Sequence, residues 1–180
     1  KKGTIVGKGV INNQMTNRLM ARMEKAGIPT HFVKELSERE TLVKKVSIVP
    51  LEVIIRNISA GSFAKRYGVE EGIVFDEPTI EFSYKNDALG DPLVTKDGLV
   101  VLGIMTAEMY DSMKAQTLQI TKIVAAELAK LGLDLYDIKF EFGYNKDEVI
   151  LIDEIASGNM RVYKDGKYVD PVTLTKIING

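Results

Sequence analysis

The first clear periodicity along the chain is fourfold: Ile11, Met15, Leu19 and Met23 fall on one face of a helix. Asn12 or Asn13 is placed to cap its start, and Gly27 followed by Pro29 marks its end. The period then changes to two. Thr30 to Leu36 and Thr41 to Val49 read as strands parted by the polar turn Ser37-Glu38-Arg39-Glu40, and after Pro50 the run resumes from Leu51 to Ile58. A proline removes a ladder donor and stiffens the chain, so a hinge is expected at Val46 to Pro50, dividing a first subdomain, 1–47, from a larger one, 48–180. Ala60 to Tyr67 reads as a short helix closed by Gly68, Thr79 to Tyr84 as a strand, and Lys85 to Pro92 as a surface loop. Thr106 then opens the longest periodic element, carrying Met109, Met113, Ile120, Ile123, Val124, Leu128 and Leu131 and stopping at Gly132. Leu133 to Phe142 and Val149 to Ile155 form a hairpin across Tyr144-Asn145-Lys146-Asp147-Glu148. The order of elements predicts an α+β fold of two subdomains, with largely antiparallel sheets and packed helices.

Composition narrows the function classes. In 180 residues, 24 Lys and Arg face 25 Asp and Glu, a formal charge of -1, so no domain-wide positive field gathers nucleic acid or an anionic membrane. Apolar runs such as Val53 to Ile55 and Leu99 to Ile104 fall far short of the ~20 residues of a membrane span. The absence of cysteine excludes disulfides, thiolate metal sites and cysteine nucleophiles, and it suits a cytoplasmic protein. His31 is the only histidine, which argues against a Ser-His-Asp system or a histidine metal cluster and leaves a half-buried strand position as its expected role. The chain opens on Lys1-Lys2-Gly3 without an initiator Met, and a fragment of a longer protein is expected.

Two stretches carry candidate chemistry. In the hairpin, Tyr136, Ile138, Phe140 and Phe142 point one way and Asp137, Lys139 and Glu141 the other. Matching the apolar faces pairs Phe140 with Ile152 and Phe142 with Ile150. That register places Lys139 opposite Asp153 and groups Lys139, Glu141 and Asp153 on one face; a slip of one residue moves Asp153 to the other side. Two carboxylates one strand apart are suitable hard ligands for Mg²⁺, whereas alternating charges on a strand otherwise face water. In Arg56-Asn57-Ile58-Ser59-Ala60-Gly61-Ser62, a strand passes through small residues into a helix; backbone N–H groups, the Ser62 hydroxyl and a guanidinium together suit an anion. An ordinary strand-to-helix turn is the alternative. Gly7-Lys8-Gly9 precedes a helix but fits neither the dinucleotide fingerprint nor the Walker pattern. Of Lys44 and Lys45, one is expected to point inward and to need an anionic partner.

Three stretches in order resemble the SAICAR synthetase family: Pro50-Leu51-Glu52-Val53-Ile54-Ile55-Arg56 running on to Ala60-Gly61-Ser62, Lys85-Asn86-Asp87-Ala88-Leu89-Gly90-Asp91-Pro92, and Asp137-Ile138-Lys139-Phe140-Glu141-Phe142-Gly143 with Asp153-Glu154 after it. Ala26 to His31 and Leu42 to Val46 read like the same family, and the likeness runs from the first residues to about Ile155. The resemblance implies a ligase of purine biosynthesis that joins a carboxyaminoimidazole ribonucleotide to L-aspartate, using ATP and Mg²⁺. A carboxylate is a poor electrophile, so ATP would first convert it to an acyl phosphate, which the aspartate amine then attacks.

Carried onto this sequence, the resemblance implies that Arg56, Ser62 and Arg161 hold the ribonucleotide phosphate and that Glu141 and Asp153 serve metal and nucleotide. Lys139 is the implied neutralising cation near the reacting groups. Lys44 to Ile48, with Val46 between them, would receive the adenine, and the Asp87 to Asp91 loop would line the substrate pocket. Arg56→Ala is accordingly expected to act mainly on ribonucleotide binding. Three departures stand out. The family's opening glycine- and lysine-containing strand is missing and is expected upstream of Lys1; the Ser-Pro-Asp run reads Ala156-Ser157-Gly158-Asn159, with Gly158 at the acidic position; and the C-terminal helix is expected beyond Gly180. A catalytically degenerate nucleotide-binding homologue, or another phosphotransferase on the same frame, are the competing readings. Exposed apolar residues on the first helix suggest a homodimer.

Overall fold

The structure, a computed structural model, describes residues 7–179, so the opening of the expected first subdomain, residues 1–6, lies outside the described residues. Five helices and nine strands run in the order α1 (Lys8–Lys25), β1 (Phe32–Ser37), β2 (Glu40–Val43), β3 (Ser47–Ile48), β4 (Leu51–Ile58), α2 (Gly61–Tyr67), β5 (Val74–Tyr84), α3 (Lys96–Val101), α4 (Ala107–Ala129), β6 (Asp134–Asn145), β7 (Glu148–Ile152), β8 (Met160–Lys164), β9 (Lys167–Val169) and α5 (Pro171–Asn179). The paired strands are antiparallel throughout. Strands β1 and β2 form a small separate ribbon; the main sheet runs β5-β4-β6-β8-β9, with β3 and β7 also on β6.

Strand β6 organises the molecule. Its first half pairs with β4 and β8, and its second half, from Glu141, with β7 and β3. Period-two alternation decides its two faces. Ile138, Phe140 and Phe142, with Val53 and Ile55 of β4, are buried in one core with Met113, Ile120, Val124 and Leu128 of α4. Asp137, Lys139 and Glu141 are thereby turned to the opposite face, as the alternation predicts. Helix α4 starts at Thr106, whose hydroxyl accepts from the Met109 amide.

Several expectations need correction. The hairpin register is one residue off: Glu141 faces Ile152, Phe142 faces Leu151 and Gly143 faces Ile150, because the chain turns tightly at Lys146 and Asp147 rather than across five residues. Ile150 and Ile152 therefore flank the charged side. The stretch read as one strand from Thr41 to Val49 is two, β2 and β3, which belong to different sheets. Glycine makes the join close: a Cβ on Gly143 would lie 2.4 Å from a Val46 methyl.

Helix α1 begins at Lys8 after a left-handed Gly7, with no side-chain cap, so neither Asn12 nor Asn13 is its cap. The Asn13 amide instead donates to the Glu38 carbonyl (3.1 Å), and Asn12 reaches Glu154 (3.3 Å). Met15, Leu19, Met20 and Met23 are buried, and among the described residues the exposed large apolar side chains all lie off α1. That removes the ground on which a homodimer was expected. Both Lys44 and Lys45 are exposed, and Lys44 satisfies its ammonium on the Thr30 carbonyl at 2.9 Å. No buried lysine there needs an anion. Strand β5 begins five residues before Thr79, since Pro78 sits on the sheet's outermost strand and removes no interior ladder bond.

Candidate functional site

Strands β4, β6 and β8 bring their charged positions to the sheet face opposite α4. Strand register sets Arg56 across from Asp137 and Ile54 across from Lys139, and Asp137 in turn across from Arg161 of β8. Residues opposite each other in an antiparallel pair share a face, so these side chains converge. A cleft of about 290 Å³ lies over them, lined by Ile54, Arg56, Ser62, Asp137, Lys139 and Arg161 and closed by the Ser157 to Met160 loop.

One end of the cleft gathers two guanidiniums and a hydroxyl. Arg56 is only 1% exposed. Its Nε donates to Glu81 (2.8 Å), Nη1 to Asp137 (2.7 Å) and to the Ala60 carbonyl (3.4 Å), and Nη2 to the Ser62 hydroxyl (2.9 Å). A guanidinium has five N–H donors, so four of them are spoken for. Arg56 is thus more anchor than open hand. By donating to the Ser62 oxygen it leaves the Ser62 O–H free to point into the cleft. Arg161, whose side chain is 41% exposed, is the open cation, and Asp137 Oδ2 holds it at 2.7 Å while also accepting from Arg56. Gly61 makes this approach possible. Its φ is +56°, and a Cβ there would lie 2.5 Å from Arg161 Nη2. Its amide is already taken by Glu71, at 2.8 Å.

The other end is a chain of alternating charges. Lys139 Nζ donates to Glu52 (2.8 Å) and to Glu141 (3.1 Å), and Glu141 also accepts from Lys85 at 2.7 Å. Burial alone would lower the Lys139 pKa, but its hydrogen bonds to the Glu52 and Glu141 carboxylates and their negative charge outweigh it and hold the ammonium above its usual range. Burial would raise Glu141, and the two lysines overcome that and hold its carboxyl below the ordinary value.

The predicted residues are therefore only partly brought together. Arg56, Ser62, Arg161 and Lys139 line one cleft, with Glu141 adjoining through Lys139. Asp153 is not grouped with them by the hairpin. It lies just past the end of β7 with a left-handed backbone (φ 63°) and lines a separate groove with His31, Asn12 and Glu154. Burial pulls the His31 pKa down, opposed by the Asp153 charge and carbonyl. Among the described residues no three His, Asp or Glu side chains cluster as metal ligands. Both oxygens of Glu141 accept from lysines, Oε2 from Lys85 and Oε1 from Lys139, so a cation such as Mg²⁺, which takes one or two carboxylates, would have to displace one of them. Asp91, left-handed at φ 48°, accepts from the Asn86 amide and shapes its own loop, outside the cleft lining. Val46 and Ile48 lie beside Gly143 along β6, and Lys44 stays by Thr30. Gly158 sits in the cleft wall with no atom within 4 Å of a built Cβ, so the departure there leaves open space.

Sequence reasoning missed Asp137, Glu81 and Glu52 as partners of these cations. Asp137 and Glu52 stand inside motifs that resemble the family, and Asp137 on the expected strand face, but pairing between strands is what identifies them. It also missed β8, β9 and α5, although Asp165-Gly166, both left-handed, is a recognisable two-residue hairpin turn.

The SAICAR synthetase family model matches residues 1–175. The chain is 51% identical over 163 residues to a phosphoribosylaminoimidazole-succinocarboxamide synthase of Lachnoclostridium phytofermentans, covering 91% of this chain and 69% of that one. The enzyme of the same name from Finegoldia magna is 48% identical over 164 residues, covering 91% and 71%. Among solved structures, a SAICAR synthetase of Pyrococcus horikoshii superposes with a TM-score of 0.89 at 35% identity, covering 97% of this chain and 77% of that one. A SAICAR synthetase solved in complex with ADP gives 0.90 at 33% identity, covering 100% and 78%. On a match spanning nearly its whole length, the chain belongs to the SAICAR synthetase family.

Proposed function

We propose that this chain carries the reaction face of an ATP-dependent carbon–nitrogen ligase of purine biosynthesis, joining a carboxyaminoimidazole ribonucleotide to L-aspartate to give SAICAR, ADP and phosphate. The observation that carries this is the cleft with its two unlike ends, an anion-holding end at Arg161, Ser62 and Arg56 and a lysine–carboxylate end at Lys139 and Glu141. The substrate has the same polarity, with a phosphate at one end and the carboxylate to be activated at the other. Family membership supplies the substrates, and the relative solved with ADP supports nucleotide binding.

Activation of the carboxylate requires two anions, the carboxylate and the terminal phosphate of ATP, to meet. Positioning and charge neutralisation do most of that work. In this reading Arg161 and the Ser62 hydroxyl hold the ribonucleotide phosphate, with Arg56 fixing both from beneath through Ser62 and Asp137. The Lys139 ammonium offsets charge as the phosphoryl group passes to the carboxylate oxygen. The aspartate amine then forms the C–N bond, and phosphate leaves with its bridging oxygen. Glu141, with Asp153 from the separate groove beside α1, is the proposed carboxylate set for Mg²⁺, which would supply neutralisation of the nucleotide phosphates. Residues 1–47, with Lys44, Val46 and Ile48 at their edge, are proposed to belong to the nucleotide side, and Asp91 to the substrate side. A cytoplasmic location and small-molecule partners alone agree with this; among the described residues no helix is long and apolar enough to cross a membrane.

The test is product formation by the full-length protein. Steady-state ADP release should require ribonucleotide and aspartate together, with SAICAR formed in equal amount. Sustained ADP release over many turnovers without aspartate, or ATP binding without turnover, would contradict the assignment.

A further inference from the structure

We infer that Glu52 is the positioning residue for Lys139, setting which end of the cleft its ammonium serves; the inference rests on the ligase reading of that cleft. Strand register places Ile54, not Glu52, directly across from Lys139. Lys139 therefore reaches Glu52 on the diagonal, two residues along β4 from its direct partner, and does so at 2.8 Å, closer than its 3.1 Å contact with Glu141 on its own strand. On the other side of Lys139, two residues back and on the same strand face, stands Asp137. The ammonium thus has a carboxylate of its own strand on either side, at i−2 and at i+2. Leaning toward Asp137 would place it among Arg56 and Arg161, where it would compete for the shared Asp137 oxygen.

Glu52 breaks that near-symmetry. It lies on the Glu141 side, and among the described residues its ion pair is to Lys139 alone. Glu141 by itself is a weaker tether, because Lys85 already takes its other oxygen at 2.7 Å. Any cation drawn to Glu141 would loosen Lys139 further, and Glu52 would then be the contact keeping the lysine at the reaction end. Glu52 acts through Lys139 and is not placed against substrate.

The experiment compares full-length Glu52→Gln and Glu52→Asp with the parent in steady-state kinetics, with melting temperature read alongside. Glu52→Gln should lower kcat by roughly ten- to a hundredfold, the range over which a misplaced catalytic group acts. The KM for ribonucleotide should stay close to the parent value, since Arg56, Ser62 and Arg161 are untouched, and Glu52→Asp should regain part of kcat. An unchanged kcat, or a raised ribonucleotide KM with kcat kept, overturns the inference. So does a Glu52→Gln protein that loses its fold together with its activity, or a Glu52→Asp protein no better than Glu52→Gln. A parent protein that makes no product with all three substrates present fails the ligase reading itself; an active parent with an indifferent Glu52→Gln fails this inference alone.

Discussion

Arg56 shows how burial changes the meaning of a residue that sequence alone marks as a ligand. It sits between the Glu81 and Asp137 carboxylates with almost no exposed surface, so its first duty is to the fold. Removing one partner of such a buried network leaves the others uncompensated. Arg56→Ala is therefore expected to destabilise the protein by about 3–5 kcal/mol in chemical denaturation, and not merely to weaken ribonucleotide binding. A variant that keeps its stability and changes only KM would restore the simpler ligand role. Gly61 gives a second residue-scale prediction. Its left-handed backbone disfavours any Cβ by about 1–2 kcal/mol, and the added methyl would push into the Arg161 guanidinium. Gly61→Ala should raise the ribonucleotide KM well beyond any change in melting temperature, because the displaced group is the exposed cation of the cleft. The sequence makes Arg56, Ser62 and Lys139 visible because strand alternation and a small-residue turn are local signals. Their partners Glu81 and Asp137 lie 25 and 81 residues from Arg56, and no local signal reports a contact of that range.

At the scale of elements, no strand or helix is expected from the sequence between Ile155 and Gly180, yet β8, β9 and α5 lie there and their segment closes the cleft. Asp170 accepts from the amides of Val172 and Thr173 and from the Thr173 hydroxyl, opening α5. Within α5, Thr175 is hydrogen-bonded to Ser157 at 3.0 Å, which ties the helix to the loop that walls the cleft. The Thr173 hydroxyl is the main cause that holds the Asp170 carboxyl below its ordinary range. A carboxyl lowered on folding contributes stability that is fully present above its unfolded value, near about 3.9, and lost as pH falls through the folded value. Docking of α5 should therefore weaken only in acid below that point, and Asp170→Ala should remove this part of the pH dependence, as read by amide hydrogen exchange in α5. Retained protection of α5 in Asp170→Ala at neutral pH, equal to the parent, would contradict the capping role. Strands β4 and β6 and helix α4 were legible because their periodicity is sustained over eight or more residues. Strands β8 and β9 are five and three residues long, and α5 starts at a proline after only a hairpin, so their patterns are too short to stand out. The hairpin register failed for a related reason: two apolar faces match nearly as well in either register, and the tight turn at Lys146 and Asp147 decides between them.

Across the whole molecule, one strand joins stability and chemistry. The apolar side of β6 supports the core and its charged side supports the cleft, so the two can be separated by substitution. Ile138 is fully buried between β4 and β8. Ile138→Ala should cost about 2–5 kcal/mol of stability while leaving the ratio of the ligase kinetic constants unaltered below its melting point. Division of labour along the opposite side is the central claim: the Arg161 end holds the ribonucleotide phosphate and the Lys139 end serves the reacting carboxylate. The most direct measurement is a paired steady-state analysis of full-length Arg161→Met and Lys139→Met. Arg161→Met should raise the ribonucleotide KM with kcat largely kept, and Lys139→Met should lower kcat with the ribonucleotide KM largely kept. The reverse pattern, or the same pattern in both variants, would contradict that claim.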